Sequence, residues 1–477
     1  MGRPSGSTGT IATLLGLGTL MEGGLLGLVL LVHRLPDAFF NFYGYFPTTL
    51  SFFLDRWGWS RPVPVSPRTF QWLYYGLWLG LHILWLLAFR LVSRLSARRS
   101  ILWLVLGVSL LFNLTLVLAM PPAFSTDSLN YLAYGRMVAF YHLNPYVAIP
   151  SAMVSDPMLT LTFWDIVCPY GPLWVGVSTA VAGVAGYGGL LAGVLLLKGL
   201  AGLAHLGLAA LLFTLASGEK APSSGGIPPI AVALGVAWSP LFLLEGAGNG
   251  HNDLVMLLLA VGGLLAFRRN RPWLGYILLL LSVLIKYVSA LLLLFLLLAW
   301  IYRQEKLRAR LLLLAKAILL GLATALVAVL PFWHGPQVVL TALLGETTRI
   351  RVSLSVLLLR GLERAWAAWP ATAPRAEPLA ILTTQLVLKG LLVAWVVFQA
   401  VALWRRHRGE FGPLLEVWEG TALVYVVFLH GATFPWYFTW PAGTALLNGD
   451  RSTQRRLAGL SFGLAALTGL FYGLPVG

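Results

Sequence analysis

Long apolar runs alternate with short charged, glycine-containing or proline-containing breaks along the whole chain. Most of the runs are about 15–25 residues long, the length that a helix needs to cross about 30 Å of hydrocarbon. A transmembrane β-barrel would instead show shorter segments in which apolar and polar residues alternate. The pattern predicts an all-α, polytopic bundle of about 13 membrane-spanning helices. The first run, residues 11–32, is too long for the core of a signal peptide and lacks a small-residue cleavage site, so it is predicted to be the first span.

The composition agrees with a membrane protein. The chain has 477 residues, of which 58% are hydrophobic and 10% charged. Its net charge of +16 would suit a nucleic-acid-binding protein, but the basic residues lie in short clusters between apolar runs, which indicates membrane topology instead. The single cysteine, Cys168, excludes an internal disulfide, and no Cys/His spacing indicates a zinc site.

The basic clusters predict which loops face the cytoplasm, because short cytoplasmic loops are enriched in Lys and Arg. The cytoplasmic clusters are residues 90–99, 219–220, 268–271, 303–310, 405–408 and 450–456. Spans alternate between them only if residues 172–185 lie at, or dip into, the outer surface and residues 273–300 form two short helices. The predicted amino terminus is then inside and the carboxyl terminus outside.

Lys286 and Tyr287 lie midway between the cytoplasmic clusters at Arg271 and Arg303. The roughly 30 residues between those clusters are too many for one upright helix and too few for two complete spans. Two short helices that meet at Lys286 would hold its ammonium in a protein-lined cavity, since exposure to hydrocarbon costs about 3 kcal/mol or more. The alternative is one long tilted helix from which Lys286 extends to the membrane surface.

The chain divides into three predicted regions. Residues 1–99 form additional amino-terminal spans, residues 100–300 a core with a large outer loop at 120–187, and residues 301–477 carboxyl-terminal spans with an outer loop at 332–378. No convincing internal repeat of the kind found in inverted-repeat transporters is present. The pattern also contains no P-loop and no Rossmann glycine fingerprint, so no nucleotide pocket is predicted.

Under this topology the unusual polar residues gather at the outer membrane boundary. They are Asp127 at the start of the outer loop, Glu245 with the "GNGHND" connection at 248–253, Lys286, the "TTRIRVS" segment at 347–353, and the "HGATFPWYF" turn at 430–438. Acids, bases and aromatic residues that converge in a chain with few charges indicate a functional site.

Each of these residues has a predicted role and an alternative. Asp127 is the candidate general base, able to take a proton from an attacking hydroxyl; the alternative, compatible with the first, is a helix N-cap. Lys286, Arg349 and Arg351 are candidates to bind a donor phosphate, although the two arginines also fit a solvated loop. Arg136 and His142 are expected to hold the outer loop together.

The candidate substrate-binding residues are polar or aromatic and lie in the same stretches. They are Tyr131, Tyr170, Glu245, His251, Asn252, Asp253, Tyr287, His430, Trp436 and Tyr437. Four of them, from Glu245 to Asp253, also form a conceivable divalent-metal set, but oxygen-rich sets of this kind are common in sequences and no metal or other cofactor is predicted. The aromatic residues also suit interfacial anchoring, which is their commoner use.

Three motifs in order carry a resemblance to a known superfamily. "DSLNYLAYGRMVAFYHLNPY", "FWDIVCPYGPLW" and "GNGHNDLVMLLLAVGGLLAFRRNRPWLGYILLLLSVLIKY" resemble the GT-C integral-membrane glycosyltransferases, and within them the bacterial polyprenol-phosphate-mannose-dependent α-mannosyltransferases. The likeness runs from about Pro121 to Leu298. It departs from the family pattern at Leu129, where an aromatic residue is frequent, and in the acid-bearing loop, which follows the third predicted span instead of the first.

The resemblance implies a function and places Asp127 at the position of the catalytic acid. The expected activity is inverting transfer of a sugar, mannose by resemblance, from a polyprenyl-phosphate donor to a glycan or glycolipid hydroxyl on the outer face of a bacterial plasma membrane. Residues 169–173 are expected to form part of the roof of the site. Arabinose, glucose and galactose stay open as donor sugars. The alternatives from other classes are a lipid or sugar transporter and a scaffold without catalytic function.

Overall fold

The computed structural model describes residues 6–34, 65–95, 99–161, 165–218, 227–335, 353–406, 411–431, 433–447 and 451–470. Within these ranges the regular secondary structure is helical and contains no strand. The predicted all-α class is confirmed.

The helices are numbered here in chain order. They are α1 (Gly6–Val32), α2 (Pro67–Val92), α3 (Arg99–Ala119), α4 (Asp127–Tyr141), α5 (Pro172–Ala185), α6 (Leu190–Ala216), α7 (Pro229–Ala237), α8 (Pro240–Leu243), α9 (Asp253–Arg268), α10 (Pro272–Val283), α11 (Ala290–Tyr302), α12 (Leu307–Val329), α13 (Ser355–Ala367), α14 (Ala376–Arg406), α15 (Phe411–Val424), α16 (Thr439–Ala445) and α17 (Arg451–Gly469).

The described helices include seven that are long and apolar enough to cross a membrane, or eight if a bent pair at Pro229–Ala237 and Pro240–Gly248 forms one span. Leucines and other large apolar side chains on α12 and α14 are exposed, as expected of surfaces that face lipid. The protein is therefore a multi-pass membrane protein. The span count of about 13 stays a prediction, because several apolar helices are shorter than a full span.

Residues 273–300 form two short helices, α10 and α11, as predicted. Lys286 lies in the break between them with an extended backbone (φ −147°, ψ 123°). The alternative of one long tilted helix is wrong. Because the helix stops at this point, the Lys286 side chain is presented to the protein interior and is only 7% exposed.

The segment before α5 packs directly across this break. The backbone N–H of Gly171 donates to the carbonyl of Ile285 at 3.1 Å, and that of Leu173 donates to the carbonyl of Leu284 at 3.0 Å. A Cβ atom on Gly171 would lie 2.1 Å from the Leu284 oxygen, so only glycine fits. These bonds fasten the 120–187 loop to the helix break and satisfy backbone groups that the break exposes.

Arg136 holds the same loop from inside. Its guanidinium makes a forked contact with the Asp156 carboxylate, with nitrogen to oxygen distances of 2.8–3.1 Å, and donates to the carbonyl of Tyr187 at 2.8 Å. Arg136 is 1% exposed, so the ion pair is buried and its donors are used. The predicted structural role of Arg136 is confirmed. His142 ends α4 in the left-handed conformation.

Candidate active site

The site lies where four segments distant in sequence meet. These are the start of α4, the connection between α8 and α9, the break at Lys286, and the turn that precedes α16. Four of the five polar stretches predicted to converge are brought together in this way. The fifth contains Arg349 and Arg351, which lie outside the described residues.

Asp127 is the first residue of α4 and is almost completely buried. Its Oδ2 atom lies 3.3 Å from Nδ1 of His251 and 3.3 Å from the hydroxyl of Tyr131. The N-cap residue is Thr126, and the backbone N–H of Asp127 itself donates to the Ser125 hydroxyl at 3.3 Å. The N-cap alternative for Asp127 is therefore wrong: the carboxylate is directed at an imidazole and a phenol.

His251 bridges two carboxylates. Its Nδ1 atom faces Asp127, and its Nε2 atom lies 3.3 Å from Oε2 of Glu245. Glu245 sits in a π-helical turn, Leu244–Gly248, and also accepts from the amide of Asn249 at 2.9 Å. This three-residue unit of Asp127, His251 and Glu245 is called the acid–histidine chain below.

The backbone around His251 explains how the bridge forms. Gly250 has a φ of +77°, a conformation that glycine adopts without strain, and it turns the chain out of the π-helical turn. The His251 ring then stacks on Trp436, with a centroid distance of 4.2 Å and an interplanar angle of 22°. Trp436 stacks in turn on Phe434 at 4.5 Å. The imidazole is thus held by ring stacking on its face, while its two nitrogens lie within ion-pair distance of two carboxylates.

Asp127 and His251 both lie outside the helices that could span the membrane. Burial alone would raise the pKa of Asp127, but the hydrogen bond and positive charge of His251 outweigh burial and lower the pKa below its usual 3.8. For His251, burial opposes the charged form, yet the contacts with Asp127 and Glu245 prevail and raise the pKa from 6.5 to about 9. At neutral pH His251 is therefore an imidazolium and Asp127 a carboxylate.

Tyr131 connects the acid–histidine chain to Asn252. Its hydroxyl lies 3.1 Å from Oδ1 of Asn252. Its ring packs edge-on against Tyr170 at 4.7 Å and Trp174 at 5.2 Å. Tyr131, Tyr170 and Asn252 were all predicted as substrate-binding residues, and the structure brings them next to Asp127.

A second ionic group lies at the start of α9. The Lys286 ammonium donates to both oxygens of Asp253, at 3.0 and 2.9 Å, and Trp440 also donates to Asp253 through its indole N–H. The ammonium lies 5.0 Å from the ring centroid of Tyr437 and 5.4 Å from that of Trp440, within range of cation–π attraction. Lys286 and Asp253 are called the lysine–aspartate pair below.

His430 begins the turn that carries these aromatic rings. Its ring packs edge-on between Tyr425 at 5.2 Å and Tyr437 at 4.8 Å. The Ser353 hydroxyl donates to the carbonyl of Gly431 at 3.0 Å. The stretch just after Arg351 in sequence is thereby attached to the turn of the site.

Tyr287 lies towards the 120–187 loop, where its hydroxyl interacts with Tyr146. Tyr146 in turn donates to the carbonyl of Tyr170 at 2.8 Å. Tyr287 thus contributes to the side of the site nearest that loop.

Sequence reasoning missed two residues that shape the site. Trp440 was outside the quoted "FPWYF" motif, although it lies four residues after Trp436 and so on the same side of a helical turn. Trp174 stands four residues after Tyr170 and packs on Tyr131. The spacing was visible in the sequence, but aromatic spacing of this kind occurs throughout membrane helices and did not single these residues out.

Of the four residues considered as a metal set, Glu245 and His251 belong to the acid–histidine chain, Asp253 belongs to the lysine–aspartate pair, and Asn252 contacts Tyr131. Both ring nitrogens of His251 face carboxylates, and Asp253 is bound to Lys286. Within the described residues no group of three or more His, Cys, Asp or Glu side chains has an arrangement that could hold a metal ion.

Several polar atoms around Asp127 are buried but have no hydrogen-bond partner among the residues that the structure describes. They are the amide nitrogen of Asn252, the indole nitrogens of Trp174 and Trp436, the amide oxygen of Asn249, and both amide atoms of Asn130. A buried polar atom without a partner costs about 1–3 kcal/mol. Such atoms are typical of sites that bind a polar ligand.

Comparison with known proteins gives one family and one curated relative. The profile of the family described as "Alpha-(1->6)-mannopyranosyltransferase, N-terminal domain" matches residues 44–302, more than half of the chain. Alpha-(1->6)-mannopyranosyltransferase A of Mycobacterium tuberculosis (strain ATCC 25618 / H37Rv) is 28% identical over 421 residues, which cover 82% of this chain and 76% of the relative. No solved structure gives a significant match.

Proposed function

Because the chain belongs to the alpha-(1->6)-mannopyranosyltransferase family, we propose that it transfers a mannosyl group from a polyprenyl-phosphate donor to a hydroxyl of a glycan or glycolipid acceptor. The reaction takes place at the extracytoplasmic face of the bacterial plasma membrane. The observation that carries the proposal is the 3.3 Å contact of the buried Asp127 carboxylate with His251.

Asp127 acts as the general base. The acceptor oxygen attacks the anomeric carbon while the bond from that carbon to the phosphate oxygen breaks, and the lipid phosphate leaves with the bonding electron pair. The acceptor proton passes to Asp127 as the new bond forms, because the hydroxyl becomes strongly acidic only at that stage. Attack opposite the departing phosphate inverts the anomeric carbon. The phosphate is a stable leaving group, so no nucleotide is required.

His251 is a positioning residue that keeps Asp127 ionised and oriented. An imidazolium 3.3 Å from the carboxylate favours the charged form of Asp127. Glu245 keeps the imidazole protonated from its other side. This arrangement supports proton transfer to Asp127, since a base that is already protonated cannot accept the acceptor proton.

The sugar is held by the buried polar atoms that have no hydrogen-bond partner among the described residues. The side-chain N–H groups of Asn252 and Trp174 can donate to sugar hydroxyls. A hydroxyl-rich ligand satisfies such donors, whereas a wholly apolar lipid leaves them unpaired. This chemistry favours a sugar at this position over the tail of a transported lipid.

Lys286 stabilises the departing phosphate as its negative charge grows. An ammonium has three N–H donors, and two of them are directed at the oxygens of Asp253. The described cluster contains three carboxyl groups, those of Asp127, Glu245 and Asp253, and only two basic side chains, those of His251 and Lys286. Arg349 and Arg351 are proposed to supply the further positive charge that a phosphate needs.

The test is transfer by the purified protein in lipid nanodiscs. Polyprenyl-phosphate mannose carrying a labelled sugar is incubated with an α-mannoside acceptor, and labelled product and released lipid phosphate are measured. The wild-type protein is expected to form product, and D127N is expected to lose on the order of 10²–10⁴-fold in rate.

The matched control is D165N, the same substitution at an exposed aspartate of the same loop. D165N is expected to keep wild-type activity. Transfer by D127N at the wild-type rate would remove Asp127 as the base, and a wild-type protein that transfers glucose, galactose or arabinose but no mannose would contradict the proposed donor.

A further inference from the structure

Helix α6 contains a lysine, Lys198, that is fully buried. Its ammonium donates to the carbonyl oxygens of Leu116 at 2.8 Å and Val117 at 3.1 Å, and also to that of Met120. These carbonyls belong to the last turn of α3 and to the residue after it. The last carbonyls of a helix lack intrahelical partners and carry partial negative charge, so the ammonium caps the helix.

The capped end of α3 leads to Asp127. Only the short stretch from Met120 to Thr126 separates the two, and the hydrogen bond from Ala123 to Pro121 makes it turn tightly. Lys198 binds the carbonyl of Met120 and so fixes the position of the first residue of the stretch that leads to Asp127.

The aliphatic stem of Lys198 packs against the other half of the site. A Cβ atom on Gly250 would lie 3.0 Å from Cγ of Lys198 and 3.1 Å from Cβ of Ser128. Gly250 directly precedes His251, and Ser128 directly follows Asp127. The Gly250 backbone is therefore held between Lys198 and α4, with no room for a side chain.

Burial of a charged side chain at this position costs free energy, because the ammonium loses its contact with water. Methionine would occupy a similar volume without the cost of removing an ammonium from water, and replacing a buried charge with an apolar residue is often neutral or stabilising. Simple packing of α6 on α3 therefore does not account for a lysine here. What the lysine adds is a defined position for three carbonyl groups at the end of α3, while its stem contacts Gly250 beside His251.

We propose that Lys198 is a positioning residue that sets the separation of Asp127 and His251 by joining the loops that carry them. The inference rests on the proposed function for its kinetic consequence, but its structural consequence can be measured without any substrate. Loss of the ammonium lets the end of α3 move relative to Gly250, and the contact between Asp127 and His251 loosens.

The experiment compares K198M with H205F in the full-length protein in nanodiscs. His205 lies on the same helix two turns further along, is also fully buried, and also contacts α3, through Asn113 at 3.3 Å. Its other described contacts are with the carbonyl of Val236 in α7 and the ring of Phe242 in α8. It thus controls for the loss of a buried polar contact between α6 and α3. K198R, which keeps the charge and the donors, tests rescue.

Two readouts are taken. K198M is expected to lower kcat on the order of 10- to 100-fold while KM for donor and acceptor changes less than about threefold, because misplacement of a catalytic group affects mainly the chemical step. H205F is expected to keep kcat within about twofold even where its melting temperature falls. Hydrogen exchange at residues 121–128 and 249–252 is expected to accelerate in K198M but not in H205F.

The outcomes separate the two proposals. A wild-type protein that transfers no mannose contradicts the proposed function, and the exchange measurement then decides the role of Lys198 alone. Unchanged kcat together with unchanged exchange in K198M overturns the inference, and so does an equal effect of H205F on both readouts. If K198M is not recovered folded, K198Q carries the same comparison, since its amide keeps donors at shorter reach.

Discussion

The acid–histidine chain and the lysine–aspartate pair use similar residue types in opposite ways. In the acid–histidine chain, the His251 imidazole lies 3.3 Å from the carboxylate of Asp127 on one side and 3.3 Å from that of Glu245 on the other. In the lysine–aspartate pair, the Lys286 ammonium donates to both oxygens of Asp253 at 2.9–3.0 Å, and the Trp440 indole N–H donates to the same carboxylate. In the acid–histidine chain, an imidazolium between two carboxylates keeps Asp127 ionised, so that it can accept a proton. The shorter, closed contacts suit groups whose charge has to stay fixed.

The segment that runs from the Pro435–Phe438 turn to Trp440 contacts both the acid–histidine chain and the lysine–aspartate pair. Trp436, in the 3-10 turn Pro435–Phe438, stacks on the imidazole, whereas Tyr437 and Trp440 lie beside the ammonium. Asp127 also feels the positive charge of Lys286, which contributes to lowering its pKa. The two groups are therefore separate in their hydrogen bonding but coupled through their electric fields, as expected of a site where a proton leaves one substrate while negative charge develops on another.

Removing the ammonium is expected to have the largest effect. K286M leaves Asp253 as a buried carboxylate without its cation, which should lower the free energy of unfolding by about 3–5 kcal/mol. Mannosyl transfer should fall by on the order of 100-fold or more, because the departing phosphate loses its nearest described cation. Denaturant unfolding and the transfer assay measure the two effects.

The double variant K286M/D253N sharpens this result. It removes both charges, so stability is expected to recover in large part while transfer stays low. K306M, the same substitution at an exposed lysine before α12, is the control and should change neither quantity. Recovery of transfer in the double variant would assign Lys286 a purely structural role.

Protonation of His251 in the acid–histidine chain should make the stability of the protein depend on pH. The pKa of His251 is about 9 in the folded protein against a usual 6.5. The protonated form is thus favoured by folding, so its stabilisation is complete below about pH 6.5 and is lost as pH rises through 9. The difference of about 2.5 pH units corresponds to about 3 kcal/mol.

The measurement is the melting temperature of wild type and H251Q between pH 6 and 10. Wild type is expected to lose stability across the upper part of this range by more than H251Q does, because glutamine does not titrate. Asp127 behaves in the opposite sense: its pKa is lowered, so its contribution is present above about pH 3.8 and is lost as pH falls further. Parallel curves for the two proteins above pH 7 would show that His251 is neutral in the folded state.

The sequence predicted where the site would lie but not how its residues would pair. The charge clusters at Arg271 and Arg303 limited the intervening segment to two short helices, because helix length is fixed by the rise per residue. This placed Lys286 at the same end of the bundle as Asp127 and the "GNGHND" connection. Depth in the membrane follows from such counting, and the helix break confirms the prediction at Lys286.

The pairing of charged side chains depends on how each helix is rotated and on the order of the helices around the bundle. The number of residues between charge clusters does not provide this information. Asp253 therefore stood among the substrate-binding residues, although it is the counter-ion of Lys286. The same limit applies to Glu245, which contacts His251 from a π-helical turn at Leu244–Gly248. No sequence signal distinguishes such a turn from ordinary α-helix.

The smallest expected effect comes from Glu245, the outer member of the acid–histidine chain. E245Q keeps an oxygen that can accept from His251 but removes one of the two negative charges that hold the imidazole protonated. The His251 pKa should fall, and with it the charge that keeps Asp127 ionised. Because the contact to Asp127 itself is kept, kcat/KM at neutral pH should fall only about tenfold, roughly 1.4 kcal/mol of transition-state stabilisation.

The diagnostic feature of E245Q is the pH profile of kcat/KM. Its alkaline limb should move to lower pH than in wild type, since the titrating histidine has lost a neighbouring anion. E363Q, the same substitution at an exposed glutamate of α13, should leave both the rate and the limb unchanged. An E245Q limb that coincides with that of wild type would mean that the group titrating at high pH is not His251, and the chain would then be a fixed ionic contact like the lysine–aspartate pair.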